Sequence, residues 1–135
     1  MKVYGKLIVL LIVIEVILSL FIASSSNGFA CAPGSSCGTV QNSIYGVIFG
    51  MKVAWFGAIA FSLLFLIYFI FANLGNKYWI FLVFSSIGML FSLYFIALQF
   101  FVLKELCTNC LAVDSIMVII FVLSVVEFMS RNQVP

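Results

Sequence analysis

Two sulfurs near the middle of the last third of the chain carry the first chemical signal. Cys107-Thr108-Asn109-Cys110 is a C-x-x-C at the head of a long apolar run. On a helix, positions i and i+3 share a face, so both sulfurs can point the same way. A cysteine in the first turn also meets the orphan N–H groups of the helix start, whose partial positive charge favours a thiolate. A second pair, Cys31 and Cys37, sits in the Ser- and Gly-rich stretch of residues 24–50. Two such pairs could form a relay, in which a thiolate attacks a disulfide sulfur and a mixed disulfide hands the electrons on. The plainer alternative is structural: a loop staple for Cys31 and Cys37, and small apolar helix residues for the C-x-x-C. A four-thiolate zinc site is a third reading, disfavoured by the apolar neighbours of the C-x-x-C.

The elements that must position these sulfurs are membrane spans. The chain has 135 residues, enough for one domain over 1–135, and is 66% hydrophobic and only 7% charged. Soluble domains are about half apolar and about a quarter charged, so this is an integral membrane protein. A net charge of +2 is too small to suggest a nucleic-acid partner. The lack of histidine removes the commonest general base and the commonest metal ligand. Apolar runs place spans at about residues 7–23, 51–72, 79–103 and 107–128, near the ~20 residues that a hydrocarbon core takes. The first run also has the outline of a signal peptide, but it is longer than the ~7–15 residues usual for such a core. The polar loop 24–50 carries a turn signal at Pro33-Gly34, and Asn42–Phe49 is expected to form a short interfacial helix. The short connection 73–77 makes spans two and three an antiparallel pair, with Tyr78 and Trp79 in an interfacial aromatic belt.

Four spans put both termini on one side, with Lys2, Lys6, Lys77 and Arg131; Lys52 and Lys104 take the other. The positive-inside tendency makes the termini cytoplasmic and turns both cysteine pairs to the exported face of a cell membrane. The expected fold is an all-α four-helix transmembrane bundle.

A relay needs an electron acceptor. The chain has no haem or flavin fingerprint, and a lipid quinone dissolves where apolar helices do. Its carbonyls need donors, and Ser43, Tyr45, Tyr94 and Gln99 lie near the appropriate end. An interhelical hydrogen bond is the other reading for Gln99, and belt or core packing for Tyr94. Glu15 is mid-span, so it faces the bundle or is protonated; a hydroxyl or amide partner and a proton-handling site are both open. Glu127 pairs with Arg131 or snorkels. Lys52 belongs at the outer interface, where its charge could also hold a thiolate or a quinone oxygen.

These motifs resemble the vitamin K epoxide reductase family in its small prokaryotic form. The loop reads C-x5-C-G-x-V-x-x-S-x-Y-G from Cys31 to Gly46, and the later segment Y-x4-Q-x7-C-x-x-C-L from Tyr94 to Leu111. The resemblance covers roughly Ser24 to Phe121. It implies a four-helix bundle around a quinone pocket capped by the loop. It also implies that Cys107–Cys110 lies beside the quinone, with Cys110 facing the ring and Cys107 exchanging with the loop. Cys31–Cys37 would be the shuttle, and Ser43 would support the site by hydrogen bonding. Animal members carry a tyrosine where this chain has Asp114. That acid could give the quinone a proton or hydrogen bond, or could simply reach water or Lys104 at the helix end. Many bacterial members carry a fused thioredoxin-like domain. The chain stops at Pro135, so the expected partner is a separate thioredoxin-like protein, secreted or membrane-anchored. The implied activity is disulfide formation outside the cytoplasm with ubiquinone or menaquinone as acceptor. Reduction of vitamin K or its epoxide, and a non-catalytic membrane protein with a stapled loop, are the alternatives.

Overall fold

A computed structural model describes residues 3–24, 39–40, 42–72, 74 and 78–133. Cys31 and Cys37 lie outside the described residues. Four long helices form the frame: α1 (Val3–Ser24), α2 (Val53–Ala72), α3 (Tyr78–Ala97) and α4 (Thr108–Asn132). Each is long and apolar enough to cross a membrane, and each is hydrophobic on nearly every face, as lipid on one side and protein on the other require. Helices α1 and α4 run past the expected spans, α1 back to Val3 and α4 on to Asn132. Hydropathy marks the hydrocarbon, whereas backbone hydrogen bonding carries a helix on through the headgroup zone.

Helix α1 packs on α2 and α4, and α3 on α2 and α4, which closes a four-helix ring. Its centre is an apolar layer of Ile8, Ile12, Phe81 and Ile120, all fully buried. Gly88 brings α3 close to α4, since a Cβ there would lie 2.5 Å from the Met117 methyl.

At the end where α1 starts and α4 finishes, a polar knot ties the helices together. The Tyr78 hydroxyl donates to Glu127 Oε2 at 3.2 Å, and the Tyr68 hydroxyl reaches the same oxygen at 3.4 Å. Arg131 pairs with Glu127 Oε1 at 2.7 Å and stacks over the Tyr78 ring at 4.5 Å. Gly5 of α1 passes beside this group; a Cβ there would lie 2.5 Å from the Tyr68 hydroxyl. The expectation for Glu127 and Arg131 is met by this pair. The expectation for Tyr78 is corrected: its ring turns inward, buried, because the Glu127 carboxylate needs donors. Trp79 alone of the two faces outward.

At the other end, Asn42–Phe49 is not the expected interfacial helix. A turn at Ser43 leads into β1 (Val47–Ile48), which pairs antiparallel with β2 (Met51–Lys52). The linking residues Phe49 and Gly50 have φ of 52° and 79°, the two positive values of a tight hairpin turn. The Ser43 side chain competes with helical bonding by engaging its own neighbours, and β-branched Val47 and Ile48 suit a strand.

Candidate functional site

The site begins where α3 ends. Leu98–Leu103 continues α3 as a π-helix, and Lys104 then reverses the chain in the left-handed region (φ 51°, ψ 26°). Such wide turns occur mostly as local insertions and often at functional sites. The extra residue swings Gln99 inward, where it is buried. Its Oε1 accepts the backbone N–H of Cys107 at 3.0 Å. The interhelical reading of Gln99 therefore acquires a definite object: it holds the entry to α4.

Cys107 is the N-cap of α4, and its Sγ accepts the Cys110 N–H at 3.4 Å. Negative charge on that sulfur is favoured by the N–H groups of the helix start. The two sulfurs of the C-x-x-C have different surroundings. Cys107 is fully buried against Val40, whereas Cys110 is half-buried and lines a cavity of about 590 Å³. That volume falls within the ~300–1,000 Å³ of small-molecule sites. The cavity walls are mostly apolar side chains of α2 and α3. Leu63, Phe84, Ile87 and Phe91 both wall the cavity and lie exposed on the bundle surface, so it opens sideways between α2 and α3.

Polar groups converge on it from several elements. Asp114 lies one turn beyond Cys110 on the same face of α4, is buried, and is hydrogen-bonded to Ser92 of α3. Among the described residues it forms no ion pair with Lys104, and it lines the cavity instead. Ser19 of α1, Tyr45, Lys52 and Gln99 also line the space. Ser43 donates to the Val40 carbonyl at 2.7 Å and accepts the Gly46 N–H at 3.1 Å. It thereby shapes the segment that seats Val40 on Cys107 and Tyr45 over the cavity. Tyr94 is not brought to the site. It is 54% exposed, lies off the face shared by Ser92, Phe95 and Gln99, and packs edge-on against Phe95.

Glu15 lies one turn from Ser19 on α1 and is fully buried. Its carboxyl oxygens have no hydrogen-bond partner among the described residues, so the hydroxyl or amide expected for it is not found there. Sequence reasoning passed over Ser19 and Ser92. The signal was available for Ser92: with Ser85 and Gly88 it makes a stripe of small residues along an otherwise bulky helix. The π turn has no such signature.

Fold and site together set paired cysteines where a helix cap meets a lipid-facing cavity in a four-span bundle. The model of the vitamin K epoxide reductase family matches residues 2–125, and the chain belongs to that family. Its members are, in general, quinone-linked thiol oxidoreductases of the membrane, and this multi-pass chain is one of them. No curated protein matches the chain.

Proposed function

We propose that this protein forms disulfides outside the cytoplasm, oxidising a separate thioredoxin-like partner and reducing a lipid quinone of the ubiquinone or menaquinone type. Electrons pass from the partner to Cys31–Cys37, then to Cys107–Cys110, then to the quinone. The observation that carries this reading is the division of the C-x-x-C: Cys110 faces the cavity and Cys107 is pressed against Val40. Val40 stands three residues along the chain from Cys37, and three residues reach at most about 11 Å. Cys37 is accordingly assigned to exchange with Cys107, and Cys31 to meet the partner.

The cavity suits a quinone. Its apolar walls take the ring, the sideways opening takes the prenyl tail, and Tyr45 and Asp114 stand as donors for the ring oxygens. When bound, the quinone supplies the two-electron acceptor. The chain's own residues do the rest. Gln99 fixes the Cys107 backbone, the α4 N-terminus favours the thiolate, and the apolar walls exclude water. Lys6 and Arg131 lie at the end bearing the polar knot, and the positive-inside tendency assigns that end to the cytoplasm.

The test uses the purified chain with a reduced thioredoxin-like protein and ubiquinone or menaquinone. Quinone absorbance should fall with the parent and stay constant with Cys110→Ser. A reduced partner that keeps only one of its two active-site cysteines should be trapped on the oxidised parent as a mixed disulfide with Cys31, because its single thiol opens Cys31–Cys37 but cannot complete the release, and Cys31→Ala should abolish the adduct. No quinone reduction, together with no trapped adduct, would overturn the proposal.

A further inference from the structure

Among the described residues, three glycines lie inside spans: Gly5 of α1, Gly57 of α2 and Gly88 of α3. A glycine within a helix costs stability relative to alanine, and in membranes the usual reason for one is the close approach of two helices. Gly5 and Gly88 follow that rule. A Cβ at either would lie 2.5 Å from a neighbour, the Tyr68 hydroxyl or the Met117 methyl, and the neighbour would have to move. Gly57 does not follow it. A Cβ there would meet the Ser19 hydroxyl at 3.6 Å and the Phe61 ring at 3.9 Å, both ordinary van der Waals distances. Packing therefore leaves room for a methyl group at Gly57, and alanine would be the better helix former there.

What Gly57 adjoins is the cavity. It lines that space, as do Ser19 and Phe61, the two residues nearest its missing side chain. Ala54 and Ala60, three residues to either side, share that face of α2 and line the cavity as well. The wall supplied by α3 is bulky by contrast, with Phe84, Ile87 and Phe91. Tyr68 ties the far end of α2 to the Glu127 knot, so Gly57, one turn into α2, lies in the half of the bundle that holds the C-x-x-C. Cys110 and Asp114, in the first two turns of α4, line the same space.

We infer that Gly57 is a specificity-determining residue that sets the size of the quinone head. The inference rests on the proposed quinone reduction. With no side chain at this position, a flat two-ring head, a naphthoquinone, seats its second ring against the α2 backbone. A methyl group there leaves room for one ring. Close approach of backbone to a ligand is one use of glycine. Tyr45 and Asp114 address the ring oxygens, which one-ring and two-ring quinones carry alike, so these donors do not separate the two. Size does: one methylene more or less in a hydrophobic pocket changes discrimination about 10–200-fold. Gly88 also lines the cavity, but there the Met117 methyl already takes the place of the missing side chain. At Gly57 no atom of the described residues takes it.

The experiment compares the parent and Gly57→Ala in quinone reduction driven by a soluble dithiol, with the rate in the absence of protein subtracted. The two substrates are a trimethyl-substituted benzoquinone and a methyl-substituted naphthoquinone, each carrying the same prenyl tail. The parent should reduce both. Gly57→Ala should lower the naphthoquinone-to-benzoquinone ratio of kcat/KM about tenfold or more, through KM rather than kcat. Its unfolding midpoint in detergent should equal or exceed the parent's. An unchanged ratio, or one changed through kcat alone, would overturn the inference and leave the disulfide-forming reading intact. So would a parent that reduces the benzoquinone alone. A Gly57→Ala chain that fails to fold, or unfolds at a lower temperature, overturns it too, since the glycine would then serve helix packing. A parent that reduces neither quinone overturns both readings.

Discussion

Gln99 shows how much of the site depends on one amide. Its Oε1 takes the Cys107 N–H at 3.0 Å, and both residues are buried. Replacing Gln99 with Leu keeps the volume roughly and strands that N–H. An unsatisfied buried donor costs about 1–3 kcal/mol, so thermal unfolding in detergent should register a loss of that size. Quinone reduction should fall as well, since the sulfur that caps α4 loses its anchor. At this scale the sequence was partly legible. C-x-x-C at the head of an apolar run announces a helix start, and Cys107 is the N-cap with Cys110 one turn on. Gln99 could be suspected as a bridge because an amide inside a span needs a partner. Its partner could not be read, because the π turn that aims it arises from packing between α3 and the reversal at Lys104. Depth along α3 and the Y-x4-Q spacing both bring Tyr94 to the level of the site, but neither fixes its azimuth.

Among the elements, the reversal between α3 and α4 sets the geometry most tightly. Lys104 has φ 51°, a conformation that costs a side-chain-bearing residue roughly 1–2 kcal/mol and glycine almost nothing. Lys104→Gly should therefore hold or raise the unfolding midpoint, by up to about 1 kcal/mol in equivalent stability, while Lys104→Val should lower it. Chemical denaturation of the two variants side by side checks the sign. The spans themselves were legible, because hydropathy over about 20 residues is a strong signal. The segment after the loop was not. Val47–Ile48 and Met51–Lys52 are too short for a strand pattern, and the turn between them needs a positive φ at Phe49 that sequence would assign to Gly or Asn.

The whole molecule divides into two polar ends separated by an apolar middle. The end holding Glu127 is a fastening rather than a site: Arg131, Tyr68 and Tyr78 all converge on one buried carboxylate. Removing the cation strands that charge, and breaking a buried pair costs about 3–5 kcal/mol. The Arg131 side chain is 24% exposed, so the lower part of that range applies. Arg131→Ala should thus destabilise at least as much as Tyr78→Phe, which loses one donor to a charged oxygen, worth about 1.5–3 kcal/mol. Molecules of either variant that remain folded should reduce quinone at the parent rate, because this knot lies at the far end from the cysteines. Unfolding midpoints and activity per folded molecule separate the two effects. Glu127 with Arg131 was foreseeable from their i, i+4 spacing, but the inward turn of Tyr78 was not, since tyrosine suits the lipid interface equally well.

The four fully buried side chains Ile8, Ile12, Phe81 and Ile120 act as an electrical insulator. Among the described residues, the polar side chains beside this layer are the buried hydroxyls of Ser85 and Ser124, and no carboxyl group lies between Glu15 and the Glu127 knot. Turnover should then displace no net charge through the slab, and a voltage imposed across proteoliposomes should leave the initial rate unchanged. A hundred millivolts is worth about 2.3 kcal/mol per elementary charge moved, so even fractional charge translocation would show as a clear voltage dependence. Quinone reduction by this chain would in that case proceed at the same speed in energised and de-energised membranes.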